Sequence, residues 1–191
     1  MTPPSTPAPE AAWTVFPTAI GPVGLAWGAA GLLGAQLPEA DEAATRARMA
    51  RRFPALAEIG ADGFTGEAAH AIASIAALMA GEPRDLLEIP LDLRGVPEFN
   101  QRVYDLARRI PPGRTRTYGE LAVELGDKAL SRAVGQALGH NPFAPVVPCH
   151  RILGADGWSG GFSAHGGALT KMRMLAIEGA CPGGTAPLFP F

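Results

Sequence analysis

The sequence predicts an α/β protein: a small N-terminal α/β domain, an antiparallel sheet plus helices, followed by a mainly helical C-terminal domain with a helix-turn-helix. Three observations predict it. Short apolar runs broken at Gly21-Pro22 and around residues 28–31 occupy residues 13–38, the pattern of strands joined by tight turns. From Pro97 onward the apolar residues recur at three- and four-residue intervals instead, the period of amphipathic helices. Two short helical stretches then flank Gly126-Asp127, the layout of helix, tight turn and helix. A chain of 191 residues with 47% hydrophobic content is long and apolar enough to bury a sizeable core. The expected organisation is a disordered leader over residues 1–10, the α/β domain over 11–94, the helix-turn-helix domain over 95–181 and a tail over 182–191.

Each element has its own signal. Residues 1–10 are rich in Pro, Ala, Thr and Ser, a composition that does not order itself. Residues 23–27 and 32–36 read as antiparallel strands. Residues 41–53 and 66–80 read as helices, the second with Ile72, Ile75 and Met79 at helical spacing, and residues 87–93 read as another strand. Residues 94–97 form the link. Pro97 opens a helix with Phe99, Val103, Leu106 and Ile110 on one face, and Pro111-Pro112-Gly113 stops it. Thr117 with Glu120 three residues on is a capping box for a helix over residues 118–125. The next helix, residues 129–138, puts Leu130, Val134 and Leu138 on one face and Arg132, Ala133, Gln136 and Ala137 on another. That second face, with Gly135 beside it, is small. It suits either a minor groove about 6 Å wide or packing against another helix.

Charge and cysteine usage narrow the function. Residues 1–96 carry 6 Lys and Arg against 11 Asp and Glu, a net of −5, whereas residues 97–180 carry 10 against 7, a net of +3. Six of those ten are arginines from Arg102 to Arg132, so the second half can meet an anion, although basic helices are commonly just solvated faces. No run approaches the roughly 18 apolar residues that span a bilayer, and the start lacks the layout of a signal peptide. No membrane partner and a cytoplasmic location are therefore expected. The two cysteines, Cys149 and Cys181, are far apart in sequence and outside any cluster of metal-ligand spacing, so neither a disulfide framework nor a bound metal is expected.

Cys149 lies in Pro148-Cys149-His150-Arg151-Ile152, ahead of a glycine-rich stretch over residues 154–167. This block resembles the signature of the O6-alkylguanine-DNA alkyltransferase family, Pro-Cys-His-Arg followed by a β-branched residue. It stands in register with further motifs similar to the family's: Thr117-Tyr118-Gly119-Glu120-Leu121-Ala122, Arg132-Ala133-Val134-Gly135, Asn141-Pro142, and Glu178 beyond. The resemblance covers roughly residues 97–180 and is looser in the first half, mainly over residues 21–38.

The chemistry of such a family asks for these residue types. Displacing a purine oxygen from a saturated carbon needs a soft nucleophile, and a thiolate is the best a protein has. A free cysteine with a pKa near 8.5 needs a neighbouring base to supply one. His150 is adjacent in sequence and in an extended strand would point away, so the pair works only if the chain bends. The resemblance implies that His150 acts on Cys149 through a water and is oriented by Glu178, the logic of a triad. It implies that the Tyr118 hydroxyl assists at the purine ring, that Arg132 fills the gap left by a flipped nucleotide, and that Asn141 is the hinge holding the helix-turn-helix against the cysteine loop. It implies DNA contact along Ala133 and Gly135, and a base pocket formed by the carbonyls of Cys149 and Ile152 and the loop at Ser159 and Gly160. Taken alone, Tyr118 reads equally as a core residue, Arg132 as a surface arginine and Asn141 as a turn former. His70, His140 and His165 show no clear partner, and Cys181 falls outside every motif.

The activity so implied is DNA repair by direct, single-use transfer of an alkyl group from O6-alkylguanine in duplex DNA, and from O4-alkylthymine if the pocket admits it, to Cys149 of a monomer without cofactor. Three other readings compete. Non-transferring relatives that bind alkylated DNA lack the cysteine. A plain helix-turn-helix regulator calls for long polar side chains on the second helix. A cysteine hydrolase of the papain type does not place Cys and His side by side.

Overall fold

The computed structural model describes residues 10–155, 157 and 164–180. Its larger sheet is built from β1 (Ala12–Phe16), β2 (Val23–Gly28), β3 (Gly31–Gln36) and β4 (Ala57–Glu58), in the order β3-β2-β1-β4. The first three pair antiparallel and β4 runs parallel to β1, so the sheet is mixed rather than purely antiparallel. Helix α1 (Glu42–Arg52), capped by the Asp41 carboxylate accepting from Ala44 N at 2.7 Å, covers one face. There Met49 packs with Trp13 and Ala26. The other face, with Phe16, Val23, Leu25 and Leu32, meets Ala71 and Ile75 of α2 (Gly66–Met79). Strand β1 is thus buried on both sides. Strands β2 and β3 are buried in the same way but fell where expected because they flank the glycine turn at residues 28–31, whereas no glycine turn precedes β1.

The anticipated strand over residues 87–93 is not formed. Only an isolated bridge joins Leu32 to Leu91, and Leu86 sits at φ 58°. Pro90 in mid-run has no N–H for a ladder. Arg108 supplies the second reason: its Nη2 donates to the carbonyls of Leu86, Leu87 and Ile89 at 2.8–2.9 Å, taking acceptors that a neighbouring strand would have used.

Arg108 closes α3 (Glu98–Arg108), whose Val103 and Leu106 face the core as their spacing predicts, joined there by Tyr104 and Ala107. The helix-turn-helix follows as α4 (Tyr118–Glu124) and α5 (Ser131–Gly139), with a single 3-10 turn over residues 128–130 between them. The capping box at Thr117 and Glu120 is present in both directions. On α5, Arg132 is exposed and Ala133 and Gly135 are half-buried. Ala137 corrects the expected small exposed face: it is 3% exposed and its carbonyl accepts from the Tyr104 hydroxyl at 3.1 Å. This end of the face packs inward because α3 lies against it.

A core that includes Phe16, Ile75, Val103, Val134 and Phe143 runs continuously through both halves of the chain. A short parallel pair, β5 (Arg116–Thr117) with β6 (Ile152–Leu153), ties the start of α4 to the chain just after Cys149. The last described helix is α6 (Ala168–Ile177). Among the described residues no helix is long and apolar enough to cross a membrane. Two histidines expected to lack partners have them: His70 Nε2 lies 3.3 Å from both Glu88 Oε1 and Ser74 Oγ, and His140 Nδ1 lies 2.8 Å from the Gln136 carbonyl. His165 Nδ1 sits 3.9 Å from Glu39 Oε2, the distance of a loose ion pair.

Candidate active site

The bend that a Cys-His pair requires is made by Pro148. With φ −82° and ψ 67° it forms an inverse γ-turn, closed by Cys149 N donating to the Val147 carbonyl at 2.9 Å, a conformation that proline's fixed φ favours. Cys149–Arg151 then form one 3-10 turn, with Arg151 N donating to the Pro148 carbonyl at 2.9 Å. The preceding loop is pinned by Asn141. Its Nδ2 donates to the Val147 carbonyl at 2.8 Å and its Oδ1 accepts from Phe143 N at 2.9 Å. Phe143, 1% exposed, stands edge-on to Tyr104 at 6.1 Å and anchors the loop to α3.

The turn drives His150 and Arg151 inward to 0% and 1% exposure, where bare charges are costly unless paired. Glu178, at the end of α6, pairs with both. Its Oε1 lies 2.9 Å from His150 Nε2 and accepts from Arg151 Nη2 at 2.8 Å, while Oε2 accepts from Arg151 Nε at 2.9 Å. The remaining Arg151 Nη1 donates to the Ile110 carbonyl at 2.6 Å. Burial works against the Glu178 charge, but the hydrogen bonds from His150 and Arg151 outweigh it and hold the carboxyl at about 2. Burial also pushes His150 below its ordinary 6.5, only partly offset by Glu178. An ionised carboxylate only accepts, so His150 Nε2 carries the proton and Nδ1 presents its lone pair. That Nδ1 is buried and has no hydrogen-bond partner among the described residues.

These shifts set a pH dependence of folding. Glu178 binds a proton more weakly folded than unfolded. Its contribution, on the order of 3 kcal/mol, is therefore complete above its ordinary 4.5 and fades as the pH falls toward about 2. His150, likewise lowered, adds a loss of the same sign beginning as the pH falls through 6.5. Urea midpoints are expected to drop steadily from pH 7 to pH 3, and Glu178→Gln is expected to flatten the acidic part of that profile.

Cys149 is half-buried and borders a cavity of about 370 Å³ between the 139–144 loop, β3 and α1. Burial pushes its thiol up. The Asn141 side chain, the Lys171 ammonium and the backbone N–H groups of Cys149 and His150 pull the other way without cancelling it. Tyr118, half-buried one residue beyond the β5–β6 pair, is raised by burial and by the nearby Cys149, so its hydroxyl remains a donor at neutral pH. A side chain added at Gly135 would touch the Tyr118 ring at 3.9 Å. The structure thus gathers Cys149, His150, Glu178, Asn141 and Tyr118, with Gly135 and Ala133 on the adjoining helix and Arg132 exposed at its start. Ser159 and Gly160 lie outside the described residues. The Ile152 carbonyl, expected to be open to a base, already accepts from Lys171 Nζ at 2.6 Å.

Lys171 and the structural part of Arg151 were missed. Lys171 is fully buried, with its Nζ 5.9 Å from the centre of the Tyr118 ring. A signal was available: Lys171, Met174, Leu175 and Glu178 follow the i, i+3, i+4, i+7 pattern of a buried helix face, and two charges on such a face mark partners inside.

Against known proteins, residues 98–180 match the family model described as 6-O-methylguanine DNA methyltransferase, DNA binding domain. The crystal structure of the Mycobacterium tuberculosis O6-methylguanine methyltransferase superposes with a TM-score of 0.68 at 33% identity, covering 91% of this chain and 96% of that one. The chain belongs to the O6-methylguanine-DNA methyltransferase family. Among curated relatives of this methyltransferase family, a methylated-DNA–protein-cysteine methyltransferase of Mycolicibacterium paratuberculosis is 47% identical over 110 residues, 58% of this chain and 64% of that protein. A DNA base-flipping protein of Thermus thermophilus is 44% identical over 107 residues, 56% of this chain and 70% of that protein. The aligned segment thus spans just under two thirds of the methyltransferase relative.

Proposed function

We propose that the protein repairs DNA by moving the alkyl group of O6-alkylguanine in duplex DNA onto Cys149, once per molecule. The observation that carries this is the Cys149 turn: a nucleophile at a cavity mouth, followed by a fully buried histidine whose outer nitrogen is fixed by an ionised carboxylate. The M. tuberculosis relative has been crystallised in complex with DNA, at 32% identity and a TM-score of 0.69 over 92% of that chain. That complex supports DNA as the partner.

In the resting protein burial keeps the thiol protonated and the imidazole neutral, so no thiolate–imidazolium pair waits at the site. When the base arrives, the thiol proton passes toward His150 Nδ1, by way of one water in the family resemblance, and Glu178 stabilises the imidazolium. Sulfur attacks the alkyl carbon; the S–C bond forms as the C–O6 bond breaks, and the electron pair leaves on guanine. The Tyr118 hydroxyl donates to the purine as charge builds there. Carbonyls at Cys149 and Ile152, which already accept from Ile152 N and Lys171 Nζ and each retain one lone pair, accept the exocyclic amine. The product is a thioether, a poor leaving group, and nothing in the scheme regenerates the thiol. Thiol and DNA between them supply every atom and electron, so no cofactor is called for. A monomer in the cytoplasm suffices, and O4-alkylthymine fits the same chemistry.

Arg132, exposed at the first turn of α5, enters the stack behind the flipped nucleotide, while Ala133 and Gly135 let the helix approach the groove. Arg132→Ala is expected to slow transfer from duplex DNA on the order of tenfold, since unstacking a base costs a few kcal/mol, and to change the reaction with free O6-alkylguanine by less than about twofold. Single-turnover rates on the two substrates check it, and equal losses would remove the flipping role. Label uptake from O6-methylguanine duplex must also level off at one group per chain; continued turnover would overturn the proposed function.

A further inference from the structure

We propose that the cavity beside Cys149 is a subsite for an anionic group carried on the transferred alkyl chain, a carboxymethyl group for instance, with Arg48 and Arg52 as its cationic wall. The inference rests on Cys149 as the alkyl acceptor. In an in-line displacement the sulfur and the purine oxygen hold opposite sides of the carbon, and its other substituents spread sideways. Whatever space opens at the sulfur is therefore space for the alkyl group. At about 370 Å³ the cavity is of ligand size, and a methyl group fills little of it.

Its far wall comes from α1 and β3. Arg48 and Arg52 stand four residues apart on one face of α1 and both line the cavity with Gln36, opposite Cys149, Ala144 and Ala164. Arg52 is half-buried, and its guanidinium is spent on neutral acceptors: Nη1 donates to the Ala35 carbonyl at 2.7 Å and Gln36 Oε1 at 3.2 Å, and Nη2 to the Pro142 carbonyl at 3.2 Å. Among the described residues neither arginine has a carboxylate ion-pair partner. The nearby acid, Glu39, accepts from Gln36 Nε2 at 3.0 Å instead. Burial and the Arg48 charge both act to lower the Arg52 pKa, the condition that an anion between them relieves. Gly34 makes the placement possible: a Cβ there would lie 2.8 Å from Phe53 Cζ and 2.9 Å from Arg52 Nη2.

Two electrophiles that differ in charge test the subsite without DNA. Iodoacetate and iodoacetamide both alkylate Cys149, the S–C bond forming as iodide leaves and the thiol proton goes to solvent. Arg48 is exposed, so Arg48→Gln tests the wall without burdening the fold. The iodoacetate-to-iodoacetamide rate ratio at Cys149, read by peptide mass, is expected to fall about fivefold in Arg48→Gln, the upper range for a partly exposed charge pair. Arg84→Gln, an equal change in net charge elsewhere, should leave the ratio as it was. On duplex DNA the ratio of carboxymethyl to methyl transfer is expected to fall by the same factor. An unchanged ratio in both assays overturns the subsite. So does an equal loss on both adducts in DNA with no shift in the haloacetate ratio, which assigns Arg48 to a DNA phosphate. A shifted haloacetate ratio with no transfer from either duplex upholds the subsite and overturns the repair reaction instead.

Discussion

Cys149→Ser is expected to abolish alkyl transfer, by on the order of a thousandfold or more, while the Kd for alkylated duplex stays within about twofold. The alcohol is a far weaker nucleophile than a thiolate and ionises far less readily. The fold has little reason to object: Cys149 is half-buried at a cavity mouth, and the turn is held by Pro148, Asn141 and the 3-10 hydrogen bonds rather than by sulfur. In the proposed mode binding rests on phosphate contacts and on α5, so titration of a labelled duplex at fixed salt is expected to superimpose on that of the unmodified chain. Residual transfer within tenfold of the original would move the acceptor elsewhere.

The second large effect is on stability. Glu178→Ala is expected to cost about 3–5 kcal/mol, because it strands the Arg151 guanidinium, 1% exposed, without its carboxylate. Converting both partners, Arg151→Met with Glu178→Met, is expected to recover most of that stability, since apolar side chains of similar length can replace a buried pair without leaving a bare charge. The double variant still lacks the group that orients His150, so its transfer rate stays low. Urea denaturation and single-turnover kinetics on the same three proteins separate the two roles. A double variant as unstable as Glu178→Ala would show that the pair is not what holds this corner together.

What the sequence disclosed depended on how local its causes were. The Thr117–Glu120 capping box and the four-three-four apolar spacing of α3 are fixed within a turn or two, and each formed where the residues placed it. The adjacency of Cys149 and His150 was legible, and so was the need for a bend, but Pro148 alone did not specify a γ-turn followed by a 3-10 turn. Strand β1 hid because no glycine turn precedes it, and residues 87–93 misled because Arg108, some twenty residues on, captures their carbonyls. Ala137 read equally as groove surface and as a packing face, and only the placement of α3 decides for packing. Lys171 and Arg151 are charged residues in the core whose partners, Ile152, Ile110 and Glu178, come together only in three dimensions. Arg48 and Arg52 drew no reading from the sequence, and only the packing of α1 beside the cysteine loop gives them a place near the chemistry.

The most direct measurement is peptide mass mapping of the intact chain after incubation with excess O6-methylguanine duplex. One methyl group per chain, confined to the peptide bearing Cys149 and stable on removal of the DNA, is the expected result. Methylation of Cys181 with Cys149 unmodified, or loss of the damaged base without any mass gain, would contradict transfer to the Cys149 turn.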